Sequence, residues 1–192
     1  MCLVKPTLIV MVKEPRPGRV KTRLGRDIGL VPAAWWFRHQ TRTLLRRLKS
    51  PRWSLVLAVS PDVEGQMSRV WPADLTRWPQ GQGDLGERMG RLMRRAGGRV
   101  CVIGADIPGI RQRHIAKAFK TLDANDVVFE PSFDGGYWLV GLKRARPLPA
   151  GMFADVRWST SNALTDSVAS LPGKRIAFVD QLNDVDEVQD LP

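Results

Sequence analysis

Lys13, Arg16, Arg19, Lys21, Arg23 and Arg26 place six cations within fourteen residues, and Pro15, Pro17 and Gly18 interrupt the same stretch. Prolines lower the entropy cost of ordering a loop, and a glycine lets backbone approach a ligand closely. A loop of this make-up suits a diphosphate or triphosphate, with Lys13, Lys21 and Arg23 as cationic contacts and Gly18 as the point of close approach. It is not a Walker A loop. Val20 precedes Lys21 where that motif requires glycine, and Pro15 occupies the other glycine position. A solvated basic loop is the plainer alternative.

Asp106, in Gly104-Ala105-Asp106-Ile107-Pro108, is the second candidate. A carboxylate beside a phosphate loop can hold a divalent cation against phosphate oxygens; otherwise it caps a turn. Asp184 and Asp186 are spaced i, i+2 and would share one face of an extended segment, completing a metal site or forming a charged C-terminal surface. Two cysteines (Cys2, Cys101) and two histidines (His39, His114) make a poor zinc set, so carboxylates would hold the metal and Mg²⁺, Mn²⁺ or Ca²⁺ would suit them. Gln80 and Gln82 lie in a glycine-rich turn with Gly83, where carboxamides and backbone amides can read a nucleobase edge; a simple loop leading into a helix is the alternative. In Asp134-Gly135-Gly136-Tyr137-Trp138, turn-forming glycines precede aromatics that could line a small acceptor pocket. Trp158-Ser159-Thr160 offers a further aromatic and two hydroxyls, or else a helix cap at Ser159, Thr160 or Ser161. No Gly-x-Ser-x-Gly elbow and no His-Glu-x-x-His pair occurs, so His39 and His114 are expected to be structural or surface groups.

Apolar, β-branched runs predict the strands that position these residues: 8–12, 54–60, 100–104, 126–130, 137–142 and 175–179. Helical periodicity predicts helices over 32–49, 85–96, 114–122 and 162–171. Asp84 is the expected N-cap of the second helix, with Leu85, Met89, Leu92 and Met93 on its inner face; Phe37, Leu44, Leu45 and Leu48 face inward on the first. The segment 71–83 reads as irregular. Alternating strands and helices with wholly apolar early strands predict an α/β domain, 1–192, around a mostly parallel sheet. In such sheets ligands bind beyond the carboxyl ends of the strands, which is where the basic loop and Asp106 fall.

Composition narrows the function further. The 192 residues carry a formal net charge of +11, which attracts polyanions and nucleotides. No apolar run approaches the ~20 residues that span a bilayer, and the N-terminus lacks a signal-peptide pattern, so a cytoplasmic protein without a membrane span is the expectation. Cys101 lies in an apolar run and is expected in the core.

Five stretches, in order, resemble one family: residues 12–24, 83–89, 104–108, 134–142 and 158–160. They are similar to the bacterial glycosyltransferase-like group of the GT-A superfamily known as transferase 1 associated with radical-SAM and selenodomain proteins, a domain of unknown function. The resemblance implies a three-layer, Rossmann-like nucleotide-diphospho-sugar transferase (GT-A) fold, akin to phospholactate guanylyltransferases and cytidylyltransferases of isoprenoid synthesis. It implies a divalent metal on Asp106, base recognition near Gln80 and Gln82, and acceptor contacts at Asp134, Gly135, Gly136, Tyr137 and Trp158. Two departures stand out. Ala105 and Ile107 replace the hydroxyl or thiol residues usual there, and Glu187 replaces the threonine of an Asp-x-Asp-Thr tail.

The expected chemistry is transfer from a nucleotide or nucleotide-sugar donor to a small-molecule acceptor, dependent on Mg²⁺ or Mn²⁺. Lys21, Asp106 and Asp134 would be the catalytic groups, and Asp106, Asp184 and Asp186 the metal ligands. A basic nucleic-acid-binding protein is the rival reading, opposed by the lack of any recognised nucleic-acid-binding signature; a nucleotide-binding protein without turnover is the third.

Overall fold

The computed structural model describes residues 5–182 and Asp190. Its centre is a seven-stranded sheet in the order β3-β2-β1-β4-β6-β5-β7. The strands are β1 (Thr7–Lys13), β2 (Ser54–Ser60), β3 (Thr76–Pro79), β4 (Val100–Ile103), β5 (Val127–Pro131), β6 (Tyr137–Leu142) and β7 (Ile176–Phe178). Only β6 runs against its neighbours; the rest share one direction. The sheet is therefore mixed and mostly parallel, as the apolar strand runs required.

Helices cover both faces. The helices are α1 (Leu24–Ile28), α2 (Leu30–Leu48), α3 (Asp62–Met67), α4 (Leu85–Ala96), α5 (Gln112–Thr121) and α6 (Ala163–Ala169). On one face, Phe37, Leu44, Leu45 and Leu48 of α2 and Ile115, Ala118 and Phe119 of α5 pack on Leu8, Val10, Leu57 and Cys101. On the other, Met89, Leu92 and Met93 of α4 pack on Ile9, Val56, Val102 and Val140, with Leu164 and Val168 of α6 against them. Alternate residues of one strand thus feed two cores, which is why the strands lack polar alternation. Three layers result.

Several expectations shift. The helix expected from residue 32 begins at Leu30, because Gly29 at φ 94° breaks the chain between α1 and α2. The segment read as irregular contains β3, whose Pro79 suits a sheet edge. The short helices α1 and α3 were not foreseen. Asp84 caps α4 as expected, in a reciprocal capping box with Glu87. Leu85 does not face inward: it is 44% exposed at the start of α4, on the wall of a cleft. Cys101 is fully buried in the core. His114 is buried and its Nδ1 accepts a hydrogen bond from the Arg111 amide, whereas His39 is exposed and stacks on Trp35.

Candidate active site

The carboxyl ends of β1, β3 and β4 open on a cleft of about 890 Å³. Its decisive contact joins residues 85 positions apart: Lys21 Nζ donates to Asp106 Oδ2 at 2.8 Å. The Lys21 side chain is 6% exposed and that of Asp106 32% exposed, so the lysine is held inside while the carboxylate keeps an open edge. Two features aim the lysine. Val20, beside it, is buried in the core and anchors the loop. Lys21 itself sits at φ 46°, a left-handed conformation that a non-glycine residue adopts at a cost of about 1–3 kcal/mol. Asp106 follows β4 directly, and β4 neighbours β1 in the sheet, so strand order brings the two together.

Lys13, Arg23, Gln80, Gly83, Asp134, Gly136, Tyr137 and Trp158 also line this cleft. Gly18, Gln82 and Gly135 do not. The basic loop is not wholly uncompensated, since Arg16 and Arg19 both approach Glu64 of α3, at 3.4 and 4.0 Å.

The glutamine turn is more structural than its sequence suggests. Gln80 is buried, and its Nε2 donates to the carbonyls of Val12 and Ala58, tying β3 to β1 and β2. Its amide nitrogen is thereby committed to the scaffold. Gln82 is exposed, and its carbonyl accepts from Arg91.

At the other end of the cleft, Asp134 Oδ1 accepts from the Gly136 amide at 2.9 Å and shapes the β5–β6 turn. Gly135, at φ 85°, has the Ser161 backbone where a side chain would be, so the turn closes on the segment carrying Ser159 and Thr160. Tyr137 presents its ring to the cleft, while its hydroxyl pairs with Ser167 Oγ at 3.2 Å. Burial raises the Tyr137 phenol well above its ordinary value, so it serves as a neutral wall. Trp158 packs edge-on to Tyr137 and Phe153. A side chain on Gly86 would come within 2.8 Å of the Trp158 ring, so this glycine admits the tryptophan against α4. The Trp158 indole N–H is buried without an acceptor among the described residues. The expected cap at 159–161 resolves differently. Asn162 is the cap position and makes no side-chain cap bond; Thr160 Oγ1 donates to the Arg157 carbonyl and accepts from the Asn162 amide.

Arg88 is a cleft residue to which sequence reasoning assigned no role. Its Nε donates to the Gly83 carbonyl at 2.9 Å, which steadies the guanidinium at the cleft wall. The available signal was its place one turn into a capped helix that follows a glycine turn.

For a divalent cation, the donor set is carboxylate. Asp106 supplies one, and a side chain on Gly104 would come within 3.0 Å of Asp106 Oδ1, so the missing Cβ keeps that oxygen approachable. Mg²⁺ and Mn²⁺ are commonly held by one or two carboxylates together with substrate phosphates, and the residues present fit that mode. Among the described residues no three His, Cys, Asp or Glu side chains gather as a self-sufficient metal cage. Asp184 and Asp186 lie outside the described residues.

A family model described as "uncharacterized protein conserved in bacteria (DUF2064)" matches residues 43–160, more than half of the chain. This chain belongs to the DUF2064 family. The match takes in Gly83–Met89, Asp106 and the Asp134–Tyr137 turn, and starts beyond the basic loop. Among solved structures, this DUF2064 chain is similar to a candidate nucleotide-diphospho-sugar transferase from Desulfovibrio desulfuricans G20. The two share 29% identity over 96% of this chain and 84% of that one, with a TM-score of 0.85. It also shares its fold with CMP:2-keto-3-deoxy-manno-octonic acid synthetase complexed with CTP, at 13% identity, 95% and 93% coverage and a TM-score of 0.57. Rv0371c from Mycobacterium tuberculosis H37Rv, in complex with manganese, matches at 17% identity, 97% and 95% coverage and a TM-score of 0.54. No curated protein matches the chain. The fold is that of the nucleotide-diphospho-sugar transferases, as the resemblance implied.

Proposed function

We propose that this DUF2064 protein is a divalent-cation-dependent transferase that moves a nucleotidyl or glycosyl group from a nucleotide donor to a small acceptor. The observation that carries this reading is the 2.8 Å Lys21–Asp106 pair, formed where β1 and β4 end and inside the cleft. It joins a phosphate-binding cation to a cation-binding carboxylate. The likeness to the Desulfovibrio protein, and to a synthetase complexed with CTP, supports a nucleotide as donor.

In this reading Lys13, Lys21 and Arg23 hold the donor's phosphates, and Asp106 holds the cation. When bound, Mg²⁺ or Mn²⁺ supplies Lewis-acid neutralisation of phosphate oxygens. The acceptor attacks either the α-phosphorus, releasing pyrophosphate, or the sugar carbon, releasing a nucleoside diphosphate. Both routes build negative charge on a departing phosphate oxygen, and Lys21 and Arg23 face that charge. Tyr137 and Trp158 wall the acceptor, and Asp134 is its carboxylate contact or proton acceptor. Arg88 offers a further cation to an anionic group of either substrate.

Thermal shift with a panel of nucleoside triphosphates and nucleotide sugars, with and without Mg²⁺ or Mn²⁺, tests the reading. Stabilisation that requires the cation and disappears in Asp106→Ala is expected. Unchanged nucleotide affinity and turnover in that variant would reject Asp106 as the ligand. The released product, pyrophosphate or nucleoside diphosphate, separates the two routes.

A further inference from the structure

Among the described residues, the side chain that meets the Asp106 carboxylate is Lys21, at 2.8 Å. The chain neighbours of Asp106, Ala105 and Ile107, are both buried and carry no hydroxyl or thiol, so neither can share the carboxylate. The ammonium takes Oδ2, and the edge beside Gly104 belongs to Oδ1. A divalent cation arriving at that edge meets a carboxylate already neutralised. It also meets a like charge close by, on a lysine held almost entirely inside the protein.

Neither backbone can shift to relieve this. Val20 before Lys21 and Leu24 after it are both buried, and the Lys21 carbonyl accepts from the Gly25 amide at 2.8 Å. Asp106 is pinned by its two buried neighbours. What can turn is the flexible stem of the lysine. Lys13 and Arg23 line the same cleft, so a phosphate drawn there offers the ammonium a new anion beside the one it gives up.

We propose that the Lys21–Asp106 pair is a latch that admits cation and phosphate together: the phosphate takes over Lys21, and the carboxylate so released takes the cation. The inference rests on the transferase reading above and adds to it how the two ligands are linked. A cation without phosphate has to displace the ammonium, and it binds weakly. By the reciprocity of linked equilibria, a phosphate without the cation has to pull Lys21 from its partner and gains as little. The device keeps the cleft from holding a cation when no donor is present. A lysine that instead steadied Asp106 for the cation would give the opposite sign, because its removal would weaken cation binding.

Titration of the full chain with Mn²⁺ alone, followed by the paramagnetic resonance of unbound Mn²⁺, tests that sign. Lys21→Met keeps most of the stem and removes the charge; it should bind Mn²⁺ about tenfold more tightly than the parent, within the range usual for coupled sites. The parent protein gives a second measurement, which stands even where Lys21→Met does not fold. Saturating Mn²⁺ should speed acetylation of Lys21 by acetic anhydride about tenfold, as read by mass spectrometry, and added pyrophosphate should restore the protection. Unchanged or weaker Mn²⁺ binding in Lys21→Met, or Lys21 labelling indifferent to Mn²⁺, overturns the latch. Asp106→Asn, alone or added to Lys21→Met, separates the latch from the reaction it serves. If Mn²⁺ binding survives that substitution, Asp106 is no cation ligand and both readings fall; if binding is lost while either earlier result fails, the latch alone falls.

Discussion

Two acidic side chains, both near the carboxyl edge of the sheet, have opposite surroundings. Asp106 follows β4, keeps an edge in the cleft and has Lys21 at 2.8 Å. Glu130, within β5, is fully buried, and neither of its oxygens finds a hydrogen-bond partner among the described residues. Burial, reinforced by the nearby Asp180, pushes the Glu130 carboxyl from its ordinary 4.5 up to about 9; the cation in reach, Lys117, is engaged with Asp180 at 2.7 Å. A cation within bonding distance and an open edge make one carboxylate useful to a ligand. Their lack leaves the other as a neutral acid in the core, a cost to the fold at high pH.

The comparison can be broken most sharply at the paired carboxylate. Lys21→Ala should lower nucleotide-dependent turnover by about 100-fold, on the order of 3 kcal/mol. The Lys21→Ala/Asp106→Ala double variant should be scarcely worse than either single one, because the two act as a unit. Additive losses in steady-state kinetics would separate their roles.

At the unpaired carboxylate the effect is on stability and has the opposite sign. The folded state binds the Glu130 proton more tightly than the unfolded chain does, so its contribution is full below 4.5 and is lost as pH rises from 4.5 to about 9. Glu130→Gln should therefore raise stability at about pH 8 by a few kcal/mol, several degrees in melting temperature, and leave it unchanged near about pH 4. Melting curves across pH that run parallel for the two proteins would remove the contrast.

Two smaller effects sharpen it. Arg88→Ala should cost about tenfold in kcat/KM, ~1.4 kcal/mol, while leaving the α4 cap intact, since the box is made by Asp84 and Glu87. Tyr137→Phe should cost about 1 kcal/mol of stability through the lost Ser167 contact and little activity, because the hydroxyl is engaged by Ser167. A large kcat defect in Tyr137→Phe, measured beside its melting temperature, would place that hydroxyl in the chemistry.

Much of the scaffold was legible because its signals are local. The runs 54–60 and 137–142 matched β2 and β6 residue for residue, and Asp84 marked the start of α4. The edge strand β3 was missed because four residues carrying a proline show no apolar period; α1 and α3 are too short to show one. Leu85 was assigned inward on helical period alone, which does not say where the sheet ends beneath the helix.

The sequence by itself determined that a cation-rich loop and a carboxylate beyond a strand end exist in an α/β chain, for residue type and short-range periodicity carry that much. Only the tertiary structure decided that Lys21 meets Asp106, that the Gln80 amide binds strand carbonyls, that Arg88 joins the cleft wall and that Glu130 is buried without a partner. Each of these depends on strand order and on which way a side chain leaves its strand or loop. Those are set by packing between residues tens of positions apart, and no local run of sequence encodes them.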